Sequence, residues 1–141
     1  MDITLFNKVF DKETERESYL RTYISDCHFE SELVSKPDSK GLISADKITC
    51  FIPHQSKADD NKVYIEPIHF NKLSMEEKKK FFTIKKGDVI ANGKVDFELS
   101  SYEDGNKLSD LKLLCEAGTI ISVNNYNFGS LYLRHWEVGA T

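Results

Sequence analysis

Residues 82–99, FTIKKGDVIANGKVDFEL, contain the clearest folding signal in the chain. The Asn-Gly pair at 92–93 lies between two short runs of alternating apolar and polar residues, which is the strongest local signal for a β-hairpin. If the chain turns there, Ile90 faces Val95, and alternate residues from Val95 onward line one side of the returning strand. The Lys-Gly-Asp sequence at 86–88 predicts another tight turn. The middle of the chain is therefore predicted to be a β-meander.

Strand-like segments occur on both sides of this meander. They cover residues 3–9, 18–24, 29–34, 47–52, 63–65, 119–123 and 131–138. Two short helices are also predicted, one with Ser74 and Glu77 as its capping box and one over residues 108–115. Residues 36–40, KPDSK, are predicted to be a loop. Roughly eight short strands with few helices predict a mainly β fold, a small β-barrel or sandwich, in one domain covering residues 1–141.

The composition is that of an ordinary folded protein. The chain has 141 residues, of which 40% are hydrophobic and 30% are charged, and its formal net charge is −4 at pH 7. A dedicated duplex-binding surface usually has a basic excess, so this balance argues against one. No apolar run approaches the ~20 residues of a membrane span, and the first residues lack the order of a signal peptide. We therefore expect no membrane contact and folding in the cytoplasm.

One polar segment is a candidate for partner binding. Residues 54–61, HQSKADDN, have no apolar periodicity, and we expect a mobile loop there, because loops often carry function. The residues predicted to contact a partner or to line a channel are His54, Gln55, Ser56, Lys57, Asp59, Asp60 and Asn61.

Two further sets of residues are candidates for contacts. Clustered lysines form a local basic patch that could contact phosphate or an acidic partner, with a solvated helix face as the simpler interpretation. They are Lys78, Lys79, Lys80, Lys85 and Lys86. Aromatic residues near the last turn are candidate interface anchors, with ordinary sheet packing as the alternative. They are Tyr126, Phe128 and Tyr132.

The cysteines contain no CxxC pair, and reduced, buried thiols are the simplest interpretation. A tetrahedral zinc site is the alternative if the strands that carry Cys27 and Cys50 pair with each other. Its ligands would be Cys27, His28, Cys50 and His54. Adjacent strand residues point to opposite faces, so Cys27 and His28 do not ligate one metal without a bend. We therefore expect no cofactor and keep zinc as the alternative.

Nucleophilic catalysis requires a nucleophile, a base and an orienting group in mutual contact. Cys115 and His135 are the available pair, but the first lies on a predicted helix and the second in a predicted strand. The glycines are scattered singly, so no phosphate-binding loop is present in the sequence. We therefore expect a protein that is not an enzyme.

Three segments resemble a family of small proteins of tailed phages and prophages of Gram-positive bacteria. They are residues 41–53 (GLISADKITCFIP), 82–95 (FTIKKGDVIANGKV) and 129–140 (GSLYLRHWEVGA), and the resemblance runs in the same order over nearly the whole chain. The resemblance implies a place among minor capsid and head–tail connection genes. The strand plan is also similar to that of head-completion, or stopper, proteins.

The resemblance implies a homo-oligomeric ring below the portal and adaptor in the virion neck, which holds packaged DNA and docks the tail-completion proteins. Residues 54–61 would then be the loop that reaches into the channel, by position alone. A mildly acidic protein fits a channel through which DNA passes without sticking, because negatively charged side chains do not bind the phosphates of DNA. The alternative is a phage-encoded inhibitor of a host defence nuclease, of the anti-CRISPR type, for which a zinc site would suit a compact domain.

Overall fold

The computed structural model of the chain describes residues 1–38, 41–100 and 106–141, with only the backbone described at 33–38 and 41–46. Its strands are β1 (Ile3–Asp11), β2 (Arg16–Ile24), β3 (His28–Asp38), β4 (Gly41–Pro53), β5 (Val63–Tyr64), β6 (Phe81–Phe82), β7 (Val89–Asn92), β8 (Ala117–Tyr126) and β9 (His135–Ala140). Its helices are α1 (Pro67–Asn71), α2 (Met75–Lys78) and α3 (Leu108–Leu114), with 3-10 turns at Asp59–Asn61 and Leu131–Leu133.

Seven strands form one antiparallel sheet in the order β2-β1-β7-β8-β9-β4-β3, and β5 and β6 form a separate parallel pair. The prediction of a mainly β fold with a few short helices is therefore confirmed. The sheet does not close into a barrel, because its end strands β2 and β3 do not pair with each other. The core between its two halves instead gives it the character of a sandwich.

Strand β8 belongs to both halves of the sheet, which we call the first leaf and the second leaf. Residues 117–119 pair with β7, and residues 120–126 pair with β9. The register shifts between Ile120 and Ser122, which leaves Ile121 as an extra residue, and such a bulge bends its strand. The first leaf is therefore β2, β1, β7 and the start of β8. The second leaf is the rest of β8 with β9, β4 and β3.

The main core lies between the two leaves. Ile3 and Leu5 of the first leaf share one buried cluster with Ile52 and Val138 of the second leaf, and none of these four side chains has measurable exposure. Burying a side chain of this size contributes about 1.5–3 kcal/mol. Since successive strand residues point to opposite faces, the alternate residues of β4 and β9 form the outer face of the second leaf.

A second core covers the other face of the first leaf. Phe6 and Ala91 point away from the main core and pack with Phe97, Leu99 and Leu111. The chain after β7 supplies the first two of these partners, and helix α3 supplies the third. Both faces of the first leaf are therefore buried, which explains the nearly continuous burial along β1.

The predicted hairpin at residues 92–93 is wrong. Gly93 has a φ of 85°, but Asn92 does not have a positive φ, so the type I′ turn is not formed. The chain crosses β1 instead: the Gly93 N–H donates to the Asp2 carbonyl, and the Thr4 hydroxyl donates to the Gly93 carbonyl at 2.7 Å. The physical reason is that β1 and β8 already occupy both edges of β7.

Both predicted helices are confirmed. In α2 the Ser74 side chain accepts a hydrogen bond from the Glu77 N–H, which is one of the two bonds of a capping box, and its hydroxyl donates to the Glu77 carboxylate at 3.2 Å. Helix α3 covers Leu108–Leu114 and buries Leu111 against the second core. The short helix α1, which begins at Pro67, was not predicted, although proline at the first helical position is a recognised start signal.

Two predicted boundaries are wrong. Strand β3 continues through Pro37 to Asp38, within the predicted loop at 36–40, and pairs with β4 from Gly41 onward; residues 39–40 lie outside the described part. The predicted strand at 131–138 begins only at His135, because the three residues Leu131–Leu133 form a 3-10 turn.

Candidate interaction surface

A row of rings crosses the outer face of the second leaf. His28, Phe51, His135 and Tyr126 lie on β3, β4, β9 and β8, and successive ring centroids are 5.9, 5.8 and 5.0 Å apart. Phe128 extends the row past the end of β8, at 6.0 Å from Tyr126. Ring pairs at such distances contribute about 0.5–1.5 kcal/mol each beyond burial. The row therefore stiffens the second leaf and leads to the loop after β8.

That loop exposes several large apolar side chains, and we call it, residues 127–134, the ledge. Phe128 is 70% exposed, Leu131 57%, Tyr132 86% and Leu133 68%. Single exposed apolar residues are ordinary, but a contiguous apolar patch marks an interaction site. Arg134 is the only charged residue in the ledge. The ledge is therefore a candidate surface for contact with another protein.

Hydrogen bonds at its base hold the ledge in place. The Leu133 N–H donates to the Ser130 carbonyl at 3.0 Å, and the Arg134 side chain donates to the Gly129 carbonyl at 3.3 Å. The Arg134 carbonyl in turn accepts from the His54 N–H at 3.0 Å, which ties the ledge to the end of β4. Because the loop is already ordered, docking on it loses less conformational entropy.

A second apolar surface lies at the other end of the second leaf, between α3 and the strands β3 and β4. We call it the groove, an open cleft of about 490 Å³. It is lined by Ser31, Glu32, Ile48, Lys112, Leu113, Leu114, Cys115, Glu116 and Ala117. Leu113 is 85% exposed and Leu114 is 66% exposed, because α3 turns Leu111 toward the second core and leaves them outside.

A buried carboxylate, that of Asp88, has a structural role. Asp88 is fully buried and accepts hydrogen bonds from the Lys8 N–H at 2.9 Å and the Asn7 side chain at 2.8 Å. It also forms an ion pair with Lys85. Burial raises the pKa of Asp88, while the Lys85 ammonium and these donors act in the opposite direction. The group joins β1 to the turn before β7.

Buried polar atoms also surround the single tryptophan in the main core. The Trp136 ring centroid lies 4.1 Å from that of His54 and 4.4 Å from that of Tyr64. Nε1 of Trp136, Nε2 of His54 and Oγ1 of Thr83 are buried and have no hydrogen-bond partner in the described part of the chain. The pKa of Tyr64 is raised, chiefly by burial, although the nearby Trp136 and Thr83 side chains act in the opposite direction.

The predicted partner loop at residues 54–61 is docked against β2. The Ser25 N–H donates to the Lys57 carbonyl at 2.9 Å, and the Tyr23 N–H donates to the Asp59 carboxylate at 2.9 Å. These bonds pair part of the free edge of β2, and a covered edge is protected from pairing with another chain. The partner role of the loop stays a prediction, while its described contacts are those of a structural clamp.

The five predicted lysines do not form one patch. Lys85 pairs with Asp88, and Lys78 is only 7% exposed, with its ammonium 5.8 Å from the centre of the Phe70 ring. Burial lowers the pKa of Lys78. Lys79 forms an exposed ion pair with a glutamate of α2 at 3.3 Å. The side chains left exposed are those of Lys79, Lys80 and Lys86.

The four zinc-ligand candidates are not brought together. Cys27 and Cys50 lie in the main core, where burial raises the pKa of Cys27 to about 12 and also raises that of Cys50. His28 lies on the outer face and contacts Glu30 at 2.7 Å. Among the described residues, no group of three or more histidine, cysteine or acidic side chains is placed to hold a metal ion.

The candidate nucleophile and base lie at opposite ends of the second leaf. Cys115 lines the groove, and its Sγ donates to the Leu111 carbonyl at 3.7 Å. His135 lies beside the ledge and its Nδ1 donates to the Leu133 carbonyl at 2.8 Å. The structure therefore does not assemble these two residues into a catalytic pair.

Of the predicted interface aromatics, Phe128 and Tyr132 lie on the ledge, and Tyr126 lies in the ring row at its base. Their role as anchors stays a prediction. The sequence reasoning missed the groove and the leucines of the ledge. A usable signal was present at Leu113, which falls off the helical face shared by Leu108 and Leu111.

The whole chain, residues 1–141, matches a family of unknown function, DUF6751, and the protein belongs to that family. No curated protein and no solved structure matches the chain. Within the described residues, none of the helices has the length and apolar character needed to cross a membrane.

Proposed function

We propose that the protein is a non-enzymatic virion component of a tailed phage, a head–tail connector or stopper that acts as a homo-oligomeric ring in the neck. The observation that carries the proposal is the ledge, where four large apolar side chains are exposed on an ordered loop. A protein that works by docking needs such a surface, whereas a solitary monomer gains nothing from exposing it.

The resemblance to head–tail connection proteins also supports this role. One of the three segments that carry it, residues 129–140, includes most of the ledge and the whole of β9. Another, residues 41–53, forms β4, which pairs with β9 over Ile48 to Pro53. These two segments are thus neighbours in the second leaf, and the rigid part of that leaf presents the ledge.

The charge distribution fits a ring around passing DNA. The formal net charge is −4, and two of the five candidate phosphate-binding lysines are occupied inside the fold. Tight phosphate binding needs several accessible cations acting together. A channel wall with few such groups lets packaged DNA slide, and closure of the channel then depends on protein–protein contacts with the portal, the adaptor and the tail-completion proteins.

The test is deletion of the gene from the parent phage, followed by electron microscopy of the particles and complementation from a plasmid. We expect heads without tails that lose their DNA, with normal capsid assembly, and rescue by the wild-type gene. Cryo-electron microscopy of the wild-type neck is expected to place the chain below the portal. Virions of normal morphology and infectivity from the deletion phage would contradict the proposal.

The same phage distinguishes the alternative function, inhibition of a host defence nuclease. In that case the deletion phage has normal virions but fails on hosts that carry the defence system, and the purified protein binds the nuclease and blocks DNA cleavage. The two functions therefore predict opposite results on hosts without the defence system.

A further inference from the structure

The ledge and the groove lie at opposite ends of the second leaf. Strand β8 connects them, since Ala117 at its start lines the groove and Tyr126 at its end adjoins the ledge. Ile48 of the groove pairs with Ala140, and Pro53 pairs with His135 beside the ledge. Five residues of extended strand, about 17 Å, separate the two surfaces. One copy of the chain therefore cannot fill its own groove with its own ledge.

Both surfaces expose large apolar side chains. The groove has a volume of about 490 Å³, within the range of roughly 300–1,000 Å³ of cavities that take a compact apolar ligand. Leu113 and Leu114 provide an exposed apolar wall, and Ile48 and Ala117 provide a buried floor. The ledge presents its apolar side chains on a loop that contains a 3-10 turn.

Their charges are also complementary. The groove is lined by Glu32, Glu116 and Lys112, which leaves one excess negative charge. The only charged residue of the ledge is Arg134. Opposite charges at the rim of an apolar contact favour the correct partner and orientation.

We propose that the ledge of one copy docks in the groove of the next copy of the same chain. Such a contact is heterologous, because it joins two different surfaces, and the resulting pair keeps one free groove and one free ledge for further neighbours. Repetition of the contact gives a closed ring when the rotation that relates neighbouring copies divides a full turn evenly. The inference rests on the proposed function for the expectation of closure, and it assigns the residues that make the ring.

The test uses one variant on each surface. Tyr132→Asp places a charge on the ledge and Leu113→Asp places one in the wall of the groove, and both positions are more than four-fifths exposed, so folding is unaffected. Ile68→Asp is the matched control, because Ile68 is an exposed apolar residue of α1 that belongs to neither surface. Circular dichroism checks the fold, and light scattering after size exclusion with native mass spectrometry measures the assembly.

We expect the wild type and Ile68→Asp to form the same oligomer and each surface variant to be monomeric. Loss of a central interface residue weakens association by about 30-fold or more, the factor that corresponds to a hot-spot loss of about 2 kcal/mol. The decisive sample is the mixture of the two variants. One keeps its groove and the other keeps its ledge, so the mixture forms one-to-one heterodimers and nothing larger.

Three results would overturn the inference. They are a monomeric wild type at the highest soluble concentration, unchanged assembly in either surface variant, and a mixture that contains no heterodimer. A Leu113→Asp variant that still assembles while Tyr132→Asp does not would indicate a ledge-to-ledge contact instead. If the deletion phage lacks tails in any of these cases, the connector role stands and only the assigned contact is lost.

Discussion

The two leaves of the sheet share one core, but the outer face of the first leaf is covered and that of the second leaf is exposed. The first leaf is covered on its outer side by Phe97, Leu99 and helix α3, and its strand β1 is buried on both faces. The second leaf has a ring row and the ledge on its outer side, with large apolar side chains exposed. The covered leaf is the part that maintains the fold. The uncovered leaf is where contacts with other molecules are expected.

The largest predicted effect tests the covered leaf at its buried ion pair. Asp88→Ala removes the charge that faces the Lys85 ammonium and the acceptor of the Lys8 N–H. It also removes one acceptor of the Asn7 amide nitrogen, which keeps its bond to the Thr83 carbonyl, so we expect a loss of about 3–5 kcal/mol in the free energy of unfolding. Urea unfolding followed by Trp136 fluorescence measures it. The control is Asp96→Ala, which removes a carboxylate whose side chain is fully exposed and is expected to leave the midpoint unchanged. Equal midpoints for the two variants would contradict a structural role for Asp88.

The next largest effect comes from comparing a leucine-to-alanine substitution in the main core with the same substitution in the ledge. Leu5→Ala removes a fully buried side chain of the main core, and we expect a loss of about 3 kcal/mol. Leu133→Ala removes an exposed side chain of the ledge and is expected to change the stability by less than about 0.5 kcal/mol. Chemical denaturation of both variants at a dilution that separates any oligomer is the measurement. A large loss at Leu133 would show that the ledge is part of the folding core of the monomer.

The effect that is smallest near neutral pH concerns the core between the leaves, because it develops only at alkaline pH. Burial raises the pKa of Cys27 from 9.0 to about 12, so the unfolded state loses this proton first as the pH rises. The stabilisation is complete below pH 9 and falls as the pH rises from 9 toward 12, with a slope of up to about 1.4 kcal/mol per pH unit for one thiol.

The measurement is the free energy of unfolding at several pH values above 9, in the wild type and in Cys27→Ala. We expect a shallower decline in the variant, since it lacks this thiol. Cys115→Ala is the control, because that thiol lies at the edge of the groove and is only partly buried. A decline as steep in Cys27→Ala as in the wild type would mean that the Cys27 thiol ionises equally in both states.

Local chemistry predicted some elements of this fold well. The Ser74 and Glu77 pair specified the start of α2, and the alternation from Val95 anticipated the burial of Phe97 and Leu99. The partner of that segment was not predictable, since alternation assigns residues to faces but does not say which strand lies alongside. The hairpin at residues 92–93 failed for this reason, because β1 and β8 occupy both edges of β7.

The candidate site was predicted only in part. Phe128 and Tyr132 were identified as contact candidates from the aromatic residues near the last turn, and both lie on the ledge. Leu131 and Leu133 were assigned to a strand, where alternation would bury one face. Their exposure depends on the 3-10 turn at Leu131–Leu133, which a strand-like pattern does not reveal.

The sequence by itself determined a mainly β chain, the helices α2 and α3 and the absence of a strongly basic character, because these depend on residue type and on spacing over a few positions. Only the tertiary structure decided that the sheet bends at the bulge near Ile121, that one leaf is covered and the other is not, and that the ledge and the groove lie at opposite ends of one leaf. The physical reason is that burial and edge pairing depend on segments far apart in the chain, and local periodicity carries no information about which of them meet.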